Sequence, residues 1–143
     1  MEKFIHENIL FAIIVRNDFH RDGVNFLTDG KQSLEMAYMS HPAGHSIKPH
    51  THVPFKRETH NTQEILFLKS GKLRIDIYSD ENICVGSREL IAGDWVILLA
   101  GGHGFEILEP SILFEVKQGP YAGDKDKVRF EPIKSGDINN DTG

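Results

Sequence analysis

Two histidines stand two residues apart in the stretch Gly44-His45-Ser46-Ile47-Lys48-Pro49-His50-Thr51-His52. On an extended chain, residues at that spacing project from the same face, so His50 and His52 can offer two imidazoles to one metal ion. Glu64 opens a run in which Leu66 and Leu68 share its face, and a carboxylate leading an otherwise apolar face is costly to bury unless it is paired or metal-bound. His103 follows the flexible Gly101-Gly102 approach and shares parity with Phe105 and Ile107. His50, His52, Glu64 and His103 form a mixed nitrogen and oxygen donor set. It suits one divalent Fe, Mn, Ni, Co or Zn ion per chain and does not suit Ca or Mg. On an octahedral ion such a set leaves open positions for a substrate with adjacent oxygens, or for a substrate beside dioxygen. The same ion can act as a Lewis acid or lower the pKa of a bound water.

The elements that must position these side chains read as strands. Period-two alternation recurs along the chain, most clearly over 72–78, where Leu73, Ile75 and Ile77 point one way and Lys72, Arg74, Asp76 and Tyr78 the other. Residues 64–69 precede it, and Ser70-Gly71 between them predicts a hairpin. Further strands are expected over Ile9–Val15, 24–28, 33–40, 83–85, 88–91, 105–108 and 112–117, with turns at Asp29-Gly30, 42–44, 79–82, 92–94 and Glu109-Pro110. The stretch 95–100 is apolar on both faces, which suits a strand covered by a second sheet on one side and a neighbouring subunit on the other. Short strands at close spacing predict an all-β sandwich or barrel. The 125–127 run reads as a solvated loop before a terminal strand, and the chain from Ser135 onward as a frayed polar tail.

With 143 residues the chain is expected to form one domain, able to build a core without disulfides or a structural metal. Sixteen Lys and Arg against 21 Asp and Glu, with no long basic run, argue against a nucleic-acid partner. Cys84 is the lone cysteine, placed as a small apolar sheet residue. The early apolar stretch Ile9–Val15 is far short of the roughly 20 residues needed to span a bilayer and lacks a small-residue cleavage site. A cytoplasmic protein without a membrane partner is expected.

Gly44, His50, His52, Glu64 and Gly71 resemble the first cupin motif, G-x5-H-x-H-x3-4-E-x6-G. Its first and last parts match, with eleven residues separating His52 from Glu64. Gly93 to His103 is similar to the second motif, G-x5-P-x-G-x2-H-x3-N, with Leu99 at the proline position, one residue fewer before His103, and Ile107 at the asparagine position. The resemblance implies a single-domain cupin, a double-stranded β-helix or jelly-roll barrel. Its barrel would span 1–134, with the motif region at 44–107 and a flexible tail at 135–143. The metal would sit inside near one mouth, held by His50, His52, Glu64 and His103. His60, four residues before Glu64 and of the same parity, is an alternative ligand.

Such a site implies an enzyme acting on a small oxygen-rich molecule, by dioxygenase-type oxidation or Lewis-acid isomerisation. Lys48, Arg57, Tyr38 and Phe105 are the candidate substrate-binding residues. A non-catalytic module that captures a small ligand or metal is the alternative from another class. A metal-independent sugar isomerase or epimerase with His50 or His103 as general base is a third reading. Apolar strand faces such as Phe11 to Val15, with the family's habits, imply a homodimer.

Overall fold

The alternating apolar residues of this chain assemble, in the computed structural model, into eight β-strands and one short 3-10 turn; the structure describes residues 1–133. The strands are β1 (Glu2–His6), β2 (Ile9–Val15), β3 (Gly23–Phe26), β4 (Ala37–Ser40), β5 (Glu64–Tyr78), β6 (Cys84–Ile91), β7 (Trp95–Leu98) and β8 (Gly102–Lys117), and the turn spans Gly123–Asp126. The fold is all-β, as the alternation predicts, and no helix among the described residues is long and apolar enough to cross a membrane. The expected tail from Ser135, like the expected barrel end at 134, lies outside the described residues.

The chain divides into two compact units, one formed by Met1–Asn17 with the chain from Asn61 onward, the other by Asp18–His60. In the smaller unit, β3 and β4 pair antiparallel and put Val24 opposite Met39 and Asn25 opposite Tyr38. The strand expected over 33–40 is confined to Ala37–Ser40, and 45–59 has no regular secondary structure. The extended face expected to carry His50 and His52 is therefore not a sheet strand here. Pro49 and Pro54, which lack the N–H a ladder needs, flank the pair.

In the larger unit the strand order is β1-β2-β7-β5-β6, with β8 on the other edge of β5. β5 is one strand of 15 residues rather than the expected hairpin; its first part pairs with β7, its second with β6, and β8 runs antiparallel along nearly all of it. A Ser-Gly pair reads the same in a turn and in a bulge, and here it marks a bulge. Gly71 has φ of 88°, and a side chain there would collide with the Pro110 carbonyl and with Ser111 of β8. For the same reason Glu109-Pro110 is not a turn but lies within β8, against the irregular pairing between Leu68 and Leu73. That irregularity shifts parity, so Leu66 and Leu68 before it and Leu73, Ile75 and Ile77 after it all enter one core. Each such fully buried side chain contributes roughly 1.5–3 kcal/mol.

The sheet curls into a half-barrel. Arg88 of β6 donates to Glu2 of β1 at 2.8 Å, and Arg16, just past β2, binds Glu2 and the buried Asp94 before β7 at 2.6 and 2.9 Å. Phe11 to Val15 are buried within the chain, so this stretch is not the exposed face expected for a second copy; the exposed apolar side chains include Ile107, Phe114 and Val116 of β8. Val96, Ile97 and Leu98 are buried within the single chain, without the neighbouring subunit expected to cover one face, whereas Trp95 at the start of the strand is exposed. No strand follows the 3-10 turn among the described residues, in place of the expected terminal strand.

Candidate functional site

Glu64 is the first residue of β5, and its place in the ladder turns it toward the core beside Leu66 and Leu68. His103 is the second residue of β8, opposite Ile77 on the same inner face. Gly101 makes the entry into β8 possible, since it has φ of 66° and a side chain there would strike the Tyr78 carbonyl and the Phe11 ring.

These two strands bring Glu64 Oε2 within 3.2 Å of His103 Nε2, with the Glu64 side chain 5% exposed and that of His103 26%. The two atoms stand at ion-pair distance without hydrogen-bond alignment, so Oε2 is a buried oxygen with no hydrogen-bond partner. The imidazole contact holds the Glu64 carboxyl below the usual carboxylate range against the opposing pull of burial, and the charges of His103, Lys127 and Lys117 add to the depression. The anionic form of Glu64 is thus favoured, although its buried Oε2 has no hydrogen-bond partner. Phe105, on the same face of β8, has its ring 5.4 Å from that of His103 and forms an apolar flank.

The other expected ligands lie in the 18–60 unit. His50 and His52 are exposed, with ring centroids 5.3 Å apart and edge to face. His50 Nδ1 lies 3.0 Å from the Lys48 carbonyl. A carbonyl only accepts, so Nδ1 carries the proton and the Nε2 lone pair is left for a ligand, the arrangement that orients metal-binding histidines. His60, the last residue of this unit, is exposed. No group of three or more His, Cys, Asp or Glu side chains stands at metal-holding spacing among the described residues. The expected ligand set is divided, His50 and His52 in one unit, Glu64 and His103 in the other.

Of the expected substrate-binding residues, Phe105 alone shares a unit with Glu64 and His103. Lys48 is exposed and engages His50 through its backbone. Arg57 is exposed and lies over the Phe55 ring at 5.6 Å. Tyr38, on β4, has its hydroxyl 3.2 Å from His20 Nδ1 and the Phe19 ring edge-on at 5.2 Å.

Two features escape sequence reasoning. His41 and His45, across the 42–44 turn, stack with centroids 4.1 Å apart, a contact their i, i+4 spacing suggests only if the turn is known. Lys117 faces Glu64 across the β5–β8 ladder, and its Nζ binds Asp126 Oδ2 at 2.9 Å. Comparison with protein-family models, with curated proteins and with solved structures finds no match for this chain.

Proposed function

We propose that the chain is a metal-binding cupin, holding one divalent transition metal through His50, His52, Glu64 and His103 and acting on a small oxygen-rich molecule in the cytoplasm. The observation that carries this reading is the buried Glu64 Oε2, without a hydrogen-bond donor and 3.2 Å from His103 Nε2. An unanswered buried carboxylate oxygen costs folding free energy, and a cation shared with the imidazole removes that cost. The donor chemistry fits Fe, Mn, Ni, Co or Zn. Bound there, such an ion would polarise a carbonyl or enolate oxygen of the substrate.

The chain's own residues supply the rest. Glu64 contributes a carboxylate whose pKa is held below the usual range, His50 presents Nε2 because its Nδ1 is committed to Lys48, and the exposed Phe105 ring stands beside His103. A second copy of the chain is the proposed protein partner. The outer row of Trp95, Phe67 and Phe114, stacked at 4.5 and 6.4 Å, would carry that contact in place of Phe11 to Val15.

The test is a thermal-unfolding series with Mn, Fe, Co, Ni and Zn salts, since a ligand that binds only the folded state raises the midpoint. At least one ion should raise it, Glu64→Gln and His52→Ala should each abolish the rise, and the rise should shrink as the solution is made acidic, because protons compete with metal for imidazole and carboxylate donors. No rise with any ion removes the reading. The direct Glu64–His103 contact then favours a metal-free reading, in which the carboxylate orients His103 as a general base. That reading predicts activity that survives a chelator.

A further inference from the structure

The chain that follows β8, over 118–133, forms no strand, and its one regular element is the 3-10 turn Gly123–Asp126. It is fastened to the β5–β8 pair at two points. At the near one, Lys117 Nζ binds Asp126 Oδ2 at 2.9 Å and lies 4.9 Å from the centre of the Tyr121 ring. At the far one, the Phe130 ring stands edge-on to that of Tyr78 with centroids 5.0 Å apart, and the Ile133 N–H donates to Tyr78 Oη at 3.0 Å. Gly102, opposite Tyr78 in the ladder, makes room for this latch: a Cβ there would stand 3.1 Å from the Phe130 ring and press it away.

The two fastenings flank the Glu64–His103 contact. Lys117 faces Glu64 across the ladder, Lys127 is close enough to act on the Glu64 charge, and Gly102 directly precedes His103. Between them 127–132 is exposed and irregular, with Val128 92% exposed. A segment held by a few side chains rather than by a ladder opens while the sheet beneath it stays intact. With the Glu64 side chain 5% exposed and that of His103 26%, a molecule meets one edge of the imidazole but does not reach the carboxylate.

We propose that 127–133 is a lid on the Glu64–His103 site, hinged at the Lys117–Asp126 pair and latched on Tyr78 by Phe130 and Ile133, which lifts to admit a small ligand and closes to exclude water from it. The proposal rests on Glu64 and His103 being the functional site and adds how that site is reached; it needs no metal.

The test follows modification of His103 by diethyl pyrocarbonate in the full chain, read from peptide masses, with the exposed His50 and His52 as references in the same sample. Phe130→Ala should speed modification of His103 by about tenfold, as the open population grows. Tyr78→Phe, which removes only the hydroxyl that Ile133 binds, should speed it by about threefold. His50 and His52 should react as before, and amide exchange should quicken over 127–133 while β5 and β8 keep their protection. If Phe130→Ala fails to fold, Phe130→Leu takes its place. Faster His103 modification supports the lid whether or not any metal raises the unfolding midpoint, so the two readings are judged separately. Equal His103 rates in the unaltered protein and both variants overturn the proposal and leave the metal reading to its own titration. Acceleration at His50 and His52 as well, or lost protection along β8, marks a general loosening and also overturns it.

Discussion

Two groups in the larger unit each set carboxylates beside basic side chains and end in opposite conditions. Around the curl of the sheet, Asp94 receives Arg16 Nη1 and the backbone N–H groups of Asn17 and Ile91, at 2.9, 2.9 and 3.1 Å. Glu2 receives Arg16 and Arg88. Each of these carboxylates has donors on both oxygens. At the Glu64 site Lys117, which faces Glu64 across the ladder, is paired with Asp126, and a buried oxygen faces an imidazole without a hydrogen bond. The first group explains itself as architecture, because it ties β1, β2 and the turns before β7 together. The second is the group that the proposed metal ion would complete.

Breaking the complete group should have the largest effect. Asp94→Ala leaves Arg16 and two backbone donors without their acceptor in a buried place, and should cost about 3 kcal/mol in urea unfolding. A loss below about 1 kcal/mol would mean that the curl does not depend on this residue. Next is Gly71→Ala, which strains a backbone at φ of 88° and drives a methyl into β8; about 2 kcal/mol is expected, together with loss of the register that sets Glu64 beside His103. Amide exchange along β8 would show whether the strand loosens.

The incomplete group should respond in the reverse sense. Glu64→Gln keeps the shape, removes a poorly answered charge, and should change metal-free stability by less than about 1 kcal/mol while lowering metal affinity at least about tenfold. A loss as large as that of Asp94→Ala would make Glu64 architectural. The smallest effect concerns Glu2. Burial pushes its carboxyl up, but hydrogen bonds and charges from Arg16 and Arg88 outweigh it, so the folded value lies below the usual one. The stabilisation is therefore present above the unfolded carboxyl value of about 4.3 and is lost as pH falls through the folded one. With the side chain about one-third exposed, it amounts to well under about 1 kcal/mol, and Glu2→Gln should flatten only the acid limb of the stability profile.

How much of this was legible in the sequence depends on the distance over which each signal acts. β2 matches its apolar run residue for residue, and the inward alternation of Leu73, Ile75 and Ile77 reads directly from period two. Ser70-Gly71 and Glu109-Pro110 misled because local chemistry cannot tell a turn from a bulge; the decision belongs to the partner strand, nearly 40 residues away, as Ser111 Oγ bonding to the Lys72 carbonyl illustrates. Glu64 and His103 were legible as a pair because each leads an apolar face. Lys117 was not, because its role depends on the β5–β8 register and on a 3-10 turn that carries Asp126 to its ammonium.

The most direct test of the unfinished Glu64–His103 site is elemental analysis of the untagged protein beside its Glu64→Gln/His103→Ala double variant, both checked for folding. Near-stoichiometric iron, manganese, nickel, cobalt or zinc in the unaltered protein, absent from the folded double variant, is the predicted result. No metal in either protein, or the same metal in both, would contradict it.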